Sequence, residues 1–249
     1  MSAEPITTAI DGAVGTVTLN RPDVLNALTL PMLLELGDAL SEFSRRDDLS
    51  VVVLTGAGRA FSAGVDLDSL GRGRLAGGRV GDELDNAANR AISLITSTPQ
   101  VVIAKVNGYC FTGALELALA CDIIVAAEEA VFGDTHAKFG LRPTWGMSQR
   151  LVRTVGVARA RAISYTAEHF SGRQAAEWGL AALAVPRVDL DVAADTLARR
   201  IAGNSRESLL AFKDLYRRAL EVGLADGLAY ESQSEYSIGD TEERLADFR

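Results

Sequence analysis

Residues 109–122 read YCFTGALELALACD, and between Gly113 and Cys121 every residue except Glu116 is apolar. A carboxylate in such a setting is costly unless it is hydrogen-bonded, paired or neutralised. Two readings fit the composition. Glu116 is either a structural acid paired with an arginine or capping a neighbouring element, or an acid whose pKa is raised by desolvation so that it moves a proton near neutral pH. Two glycine turns add to the second reading, SAG before Val65 and FTG before Ala114. Each stands where extended chain passes into helix, so its backbone N–H groups lack intrahelical partners and favour negative charge. Brought together, two such donors form an oxyanion hole for a carbonyl that becomes an enolate.

Other chemistries lack equipment. Gly56 and Gly58 form a GxG, but Phe61 stands where a dinucleotide fingerprint needs its third glycine, and the chain has no GxxxxGK[ST], GxSxG or HExxH. Cys110 and Cys121 fit no zinc spacing and read as small buried hydrophobes, so no metal is expected. The two histidines are His136, in FGDTHAKFG, and His169, in TAEHFSG, the latter read as structural. GRGRLAGGRVG (71–81) reads as a mobile surface loop, either a plain linker or one offering Arg72, Arg74 or Arg79 to an anionic ligand.

The positioning elements follow from periodicity. AVGTVTLN (13–20), VVVLTG (51–56), VVIAKVNG (101–108) and DIIVAAEEAVFGD (122–134) read as strands, with helical patterns at 30–46 and 81–96 and around Glu116. Strands apolar on both faces alternating with helices predict an α/β core with parallel pairing. From Gly146 the chain reads largely helical, which places a soft boundary between a core over 1–187 and a helical region over 188–249 that packs on the core or mediates oligomerisation. Across 249 residues, 48% are hydrophobic and the formal net charge is −8, which disfavours nucleic acid or an anionic membrane as partner. With no signal-peptide pattern at the N-terminus and no apolar run of membrane-spanning length, the cytoplasm is the expected location.

NRPDVLNAL, VVVLTGAGRAFSAGVDL, VNGYCFTGALELALACDIIVAAEEAVFG and GLRPTWGMSQRL, in that order, resemble the crotonase (enoyl-CoA hydratase/isomerase) superfamily from about residue 5 to about residue 240. The resemblance implies repeated ββα units wound into a superhelix, a C-terminal helical region, and homotrimers or dimers of trimers. It also implies a coenzyme A thioester substrate that brings its own coenzyme, with no further cofactor. By its motifs the oxyanion donors are the backbones of Val65 and Gly113, Leu25 and Ala27 contact the adenine end of coenzyme A through backbone groups, and Ala63, Asp66 and Leu67 flank the cleft. Glu116 matches one of the two glutamates that hydratases of this family use on water. His136 occupies the place of the second, and Thr144 replaces a glycine whose N–H holds the water; Trp145 beside it is a pocket wall or core. The chain also stops short of the family's basic, aromatic tail, and Lys213 is expected on a solvated helix face. The expected reaction is a lyase addition of water to a 2-enoyl thioester. Alternatives are an isomerase, a decarboxylase or hydrolase using the same oxyanion hole, or a non-catalytic acyl-CoA-binding protein.

Overall fold

The computed structural model describes residues 4–70 and 76–247. Its strands are β1 (Ile6–Asp11), β2 (Val14–Leu19), β3 (Val51–Gly56), β4 (Ala60–Ser62), β5 (Val101–Val106), β6 (Tyr109–Phe111), β7 (Ile123–Ala127), β8 (Val131–Gly133), β9 (Phe170–Ser171) and β10 (Leu183–Val185). The helices are α1 (Leu30–Ser44), α2 (Asp82–Ser97), α3 (Gly113–Ala120), α4 (Met147–Val155), α5 (Val157–Thr166), α6 (Gly172–Glu177), α7 (Leu190–Ala202), α8 (Arg206–Ala219), α9 (Leu224–Gln233) and α10 (Thr241–Asp247).

The strands form two sheets, one in the order β1-β2-β3-β5-β7-β10 and a smaller one in the order β4-β6-β8-β9. The β1–β2 hairpin is antiparallel and β2, β3, β5, β7 and β10 run parallel. In the small sheet β4, β6 and β8 are parallel and β9 is antiparallel. The chain thus repeats one unit: a long strand enters the large sheet, a short strand enters the small sheet, and a helix returns. The units β3–β4–α2 and β5–β6–α3 show this directly, and β7–β8 leads through a loop to α4. This is the expected superhelix of ββα units.

Residue choice explains the long strands. All six residues of VVVLTG are buried, and VVIAKV is buried apart from Lys105, as β-branched strands covered on both faces should be. Helix α1 begins at Thr29, whose hydroxyl accepts from the Met32 amide, and it buries Leu33, Leu36, Leu40 and Phe43 at helical spacing against α2. The sequence placed one strand over 122–134, but a turn splits it into β7 and β8, because the second half serves the other sheet. Strands β4, β6, β9 and β10 are two or three residues long, too short for periodicity to register.

Helix α7 lies on the large sheet, where Leu190, Ala194 and Ala198 join the same core as the strands. Helix α8 docks through Lys213, and here the structure corrects the expectation of a solvated face. Its Nζ donates to the carbonyls of Ile95 (3.0 Å) and Gln100 (2.9 Å) and to Asp122 Oδ2 (2.8 Å), closing the C-terminal turn of α2 onto the start of β5. The aliphatic stem reaches inward, and the ammonium finds three oxygens in place of water. No helix among the described residues is long and apolar enough to cross a membrane. Replacing Lys213 with Met should cost roughly 2 kcal/mol, because Asp122 and two carbonyls lose a charged donor. Urea unfolding of the parent and the variant measures it; equal midpoints would show that α8 does not depend on this contact.

Candidate active site

Helix α3 starts from a strained residue. Thr112 has φ 52 and ψ −109, a conformation costly for a β-branched side chain, and the small sheet holds it there. Its N–H donates to Gly133 O (2.9 Å), and its hydroxyl lies 2.6 Å from that of Thr135 while accepting from the Thr135 amide (3.2 Å). The turn leaves the Gly113 amide at the first position of α3, with no protein acceptor among the described residues. No side chain fits at this position, since a Cβ would lie 2.5 Å from the Trp145 ring.

A second amide with no acceptor among the described residues, that of Val65, faces the same space. Leu28 bridges Val65 in parallel fashion, its N–H donating to Gly64 O (2.8 Å) and its carbonyl accepting from Asp66 N (2.9 Å). That pattern turns the Val65 amide to the opposite side. Gly64 lies directly against Phe111, so the 63–66 and 111–113 segments are neighbours. Asn26 fixes the entry to this region: its side-chain amide donates to Ala57 O (2.9 Å) and Ala60 O (2.8 Å), and its Oδ1 accepts from the Arg21 amide (2.8 Å).

Val65 and Gly113 line one cavity of about 270 Å³ together with Ala63, Leu67, Glu116, His136, Thr144 and Trp145. Leu25, Ala27 and Asp66 stand beside it rather than on its wall. Leu25 and Ala27 have internal backbone partners, with the Leu25 carbonyl accepting from Ala63 N and the Ala27 carbonyl from Arg21 Nη1 (2.6 Å). Asp66 pairs with the same arginine at 3.0 Å. Val80, Phe139 and Leu141 complete the apolar wall.

Glu116 is 1% exposed, and its partners are backbone groups rather than an arginine. Oε1 accepts from the amides of Trp145 (3.0 Å) and Met147 (2.9 Å). The two amides converge because Gly146 between them has φ +112, and a Cβ there would collide with Arg150. Met147 opens α4, so the carboxylate also sits at a helix N-terminus. These contacts favour the anion, as does His136, but burial outweighs them and pushes Glu116 up to about 7.

His136 is 8% exposed, with Nε2 3.7 Å from Glu116 Oε2. Its Nδ1 lies 2.7 Å from Asp134 Oδ1, and Asp134 Oδ2 accepts from the Ser164 hydroxyl (2.7 Å). Burial raises the Asp134 carboxyl, but the hydrogen bonds from His136 and Ser164 together outweigh it and hold the group below the usual carboxylate range. An ionised Asp134 accepts from Nδ1–H and so holds the ring with Nε2 on the Glu116 side, at the cavity.

Sequence reasoning missed Asp134 and Ser164, as well as Asp85, which accepts from Thr144 Oγ1 (2.6 Å) and Trp145 Nε1 (2.8 Å). For Asp134 a signal existed: in DTH the aspartate also accepts from the His136 amide, an Asx-type turn that sets acid and imidazole side by side. His169, read as structural, stacks on Phe111 at 4.7 Å and lines the same cavity. Arg79 pairs with Asp82 and Asp85, while Arg72 and Arg74 lie outside the described residues.

The sequence profile described as enoyl-CoA hydratase/isomerase matches residues 9–246. The chain belongs to this family. It is 32% identical to a short-chain-enoyl-CoA hydratase of Clostridium acetobutylicum over 94% of this chain and 89% of that one. The enoyl-CoA hydratase/isomerase fold is shared with an enoyl-CoA hydratase from Bacillus anthracis, with a TM-score of 0.87 and 34% identity over 92% of this chain and 89% of that one. A Thermobifida fusca protein assigned as an enoyl-CoA hydratase and solved in complex with CoA superposes with a TM-score of 0.83 at 30% identity, over 98% of this chain and 94% of that one.

In this family member the raised Glu116 links to stability. Its folded pKa of about 7 exceeds the ordinary 4.5, so the folded state binds the proton more tightly. The cost of holding the anion is absent below the ordinary value and complete above the raised one, on the order of 3 kcal/mol at about 1.4 kcal/mol per unit. Glu116→Gln keeps a carbonyl for both amides, so it should stabilise the protein by about 1–3 kcal/mol near pH 8 and by little near pH 5. Urea unfolding at the two pH values decides; an advantage that does not grow with pH removes the raised pKa.

Proposed function

We propose that the protein adds water across the double bond of 2-enoyl-CoA thioesters, a lyase reaction that needs no cofactor beyond the coenzyme A its substrate carries. The observation that carries this reading is the meeting of two unpartnered amides, Val65 and Gly113, with Glu116 and His136 on one cavity wall. The thioester oxygen sits between the two amides, which are worth most once negative charge has moved onto it. The water lies on the cavity side of the gap between Glu116 Oε2 and His136 Nε2, within reach of both.

The protons balance over one cycle. His136 Nε2 takes a proton from water as the hydroxyl oxygen bonds to C3, and the electron pair of the double bond moves toward the held oxygen as an enolate. Glu116, protonated in a large fraction of molecules near neutral pH, gives its proton to C2 as the enolate collapses. The imidazolium then returns a proton to the Glu116 carboxylate across their 3.7 Å separation. A second reading, movement of a double bond from the 3- to the 2-position, uses Glu116 alone as the proton carrier and is favoured by the imidazole standing where hydratases place a second carboxylate.

The expected homotrimer or dimer of trimers is supported by apolar side chains exposed along α8 and α9, among them Phe212, Tyr216, Leu224 and Leu228. A reducing compartment, the cytoplasm, suits two free cysteines. Purified protein should consume the conjugated-thioester absorbance of short-chain 2-enoyl-CoA, and Glu116→Gln and His136→Ala should each lower kcat by about 10²–10⁴-fold. In the parent, kcat/KM should decline as pH rises past the Glu116 midpoint of about 7. Conversion of 3-enoyl but not hydration of 2-enoyl substrates, retained in His136→Ala, would replace the hydratase with the isomerase.

A further inference from the structure

One buried carboxylate outside the proton-transfer pair joins three segments around the cavity. Asp85, in the first turn of α2, is 2% exposed. Its Oδ1 accepts from the Thr144 hydroxyl (2.6 Å) and the Trp145 indole N–H (2.8 Å), and its Oδ2 accepts from Arg79 Nη2 (2.8 Å) and Nε (3.1 Å). Arg79 precedes Val80 on the cavity wall. The same two stretches are also tied by Arg142, whose amide donates to Gly78 O (2.9 Å) and whose Nε donates to Gly77 O (3.1 Å). Trp145, gripped by its indole, is the residue whose backbone N–H holds Glu116.

We propose that Asp85 is a positioning residue that couples the 77–80 segment, which brings Val80 to the cavity wall, to the Trp145–Met147 amides that hold Glu116. With both carboxylate oxygens in use, Trp145 cannot rotate without breaking the bond to Asp85, and the 77–80 segment cannot move at Arg79 without taking the donors from Asp85 Oδ2. The geometry makes two arms separable. Asparagine at this position keeps a carbonyl for Thr144 and Trp145 but turns an NH₂ toward Arg79, whereas alanine removes both arms. This inference rests on the reading of Glu116 as a proton carrier, but its first readout needs no turnover.

The experiment follows the Glu116 carboxyl by ¹³C NMR, assigned by its loss in Glu116→Gln, and the indole N–H signals of Trp145 and Trp178, the two tryptophans of the chain. The titratable groups around Glu116, namely His136, Asp134 and Arg150, are the same in every variant compared. In Asp85→Ala the amides loosen, so the Glu116 midpoint should rise by about half a unit or more, the Trp145 indole signal should shift, and kcat should fall about tenfold. Asp85→Asn should restore the midpoint and kcat to within about threefold of the parent, yet raise KM severalfold because Arg79 is released. An unmoved midpoint in Asp85→Ala, or an asparagine variant that fails to restore it, overturns the proposal. Should Asp85→Ala not fold, Trp145→Phe removes only the indole donor and must raise the midpoint in the same direction; an unmoved midpoint there overturns it equally. If the parent hydrates no 2-enoyl-CoA but the midpoint moves as stated, the hydratase reading fails and the coupling stands.

Discussion

A carboxylate in an apolar interior survives only where something replaces its water, and here two main-chain amides meet Oε1 of Glu116. That constraint reaches outward. The amides belong to residues two apart, so the residue between them must adopt a positive φ, which Gly146 supplies. The turn must then be held against α3, which the Trp145 ring does by packing where any side chain on Gly113 would stand. The bare Gly113 amide and the buried Glu116 acid are therefore two products of one packing contact. Loosening that contact would disturb the Gly113 amide and the Glu116 carboxylate together.

The His136 side of the cavity is built differently. A carboxylate there would have repelled Glu116, whereas an imidazole backed by Asp134 and Ser164 presents a single lone pair with its far nitrogen engaged. Asp134 keeps its negative charge because three donors, from the His136 ring, the His136 amide and the Ser164 hydroxyl, together outweigh its burial, and Glu116 tends to keep its proton because burial outweighs its two amides. Both acids are almost completely shielded from solvent, and the donors each one receives set them apart.

Much of this architecture was legible in the residues. Continuous apolar runs such as VVVLTG marked the central strands, and the lone acid in GALELALA marked the site. The glycine turns before Val65 and Ala114 marked the two amides that the fold brings to one wall. What escaped has a physical reason in each case. Strands of two or three residues carry no period. Backbone donors such as Trp145 N–H have no side-chain letter to betray them. Asp85 looked like one more acid at a helix start, where the dipole alone would justify it, and only the folded chain shows its oxygens turned toward Thr144, Trp145 and Arg79. Lys213 was misjudged because a lysine on an amphipathic helix is ordinarily solvated, and nothing local announces the carbonyls awaiting it.

The two cysteines gain significance from the proposed substrate. An alkene conjugated to a thioester is an electrophile, and thiolates add to such carbons readily. Cys110 is fully buried, and Cys121 turns its sulfur onto the Leu117 carbonyl at 3.4 Å. Burial pushes both thiols well above their ordinary range, so neither offers the anion that conjugate addition requires. A catalyst that handles a reactive acceptor at every turnover thus keeps its own sulfur atoms out of the reaction, and is spared alkylation by the molecule it transforms.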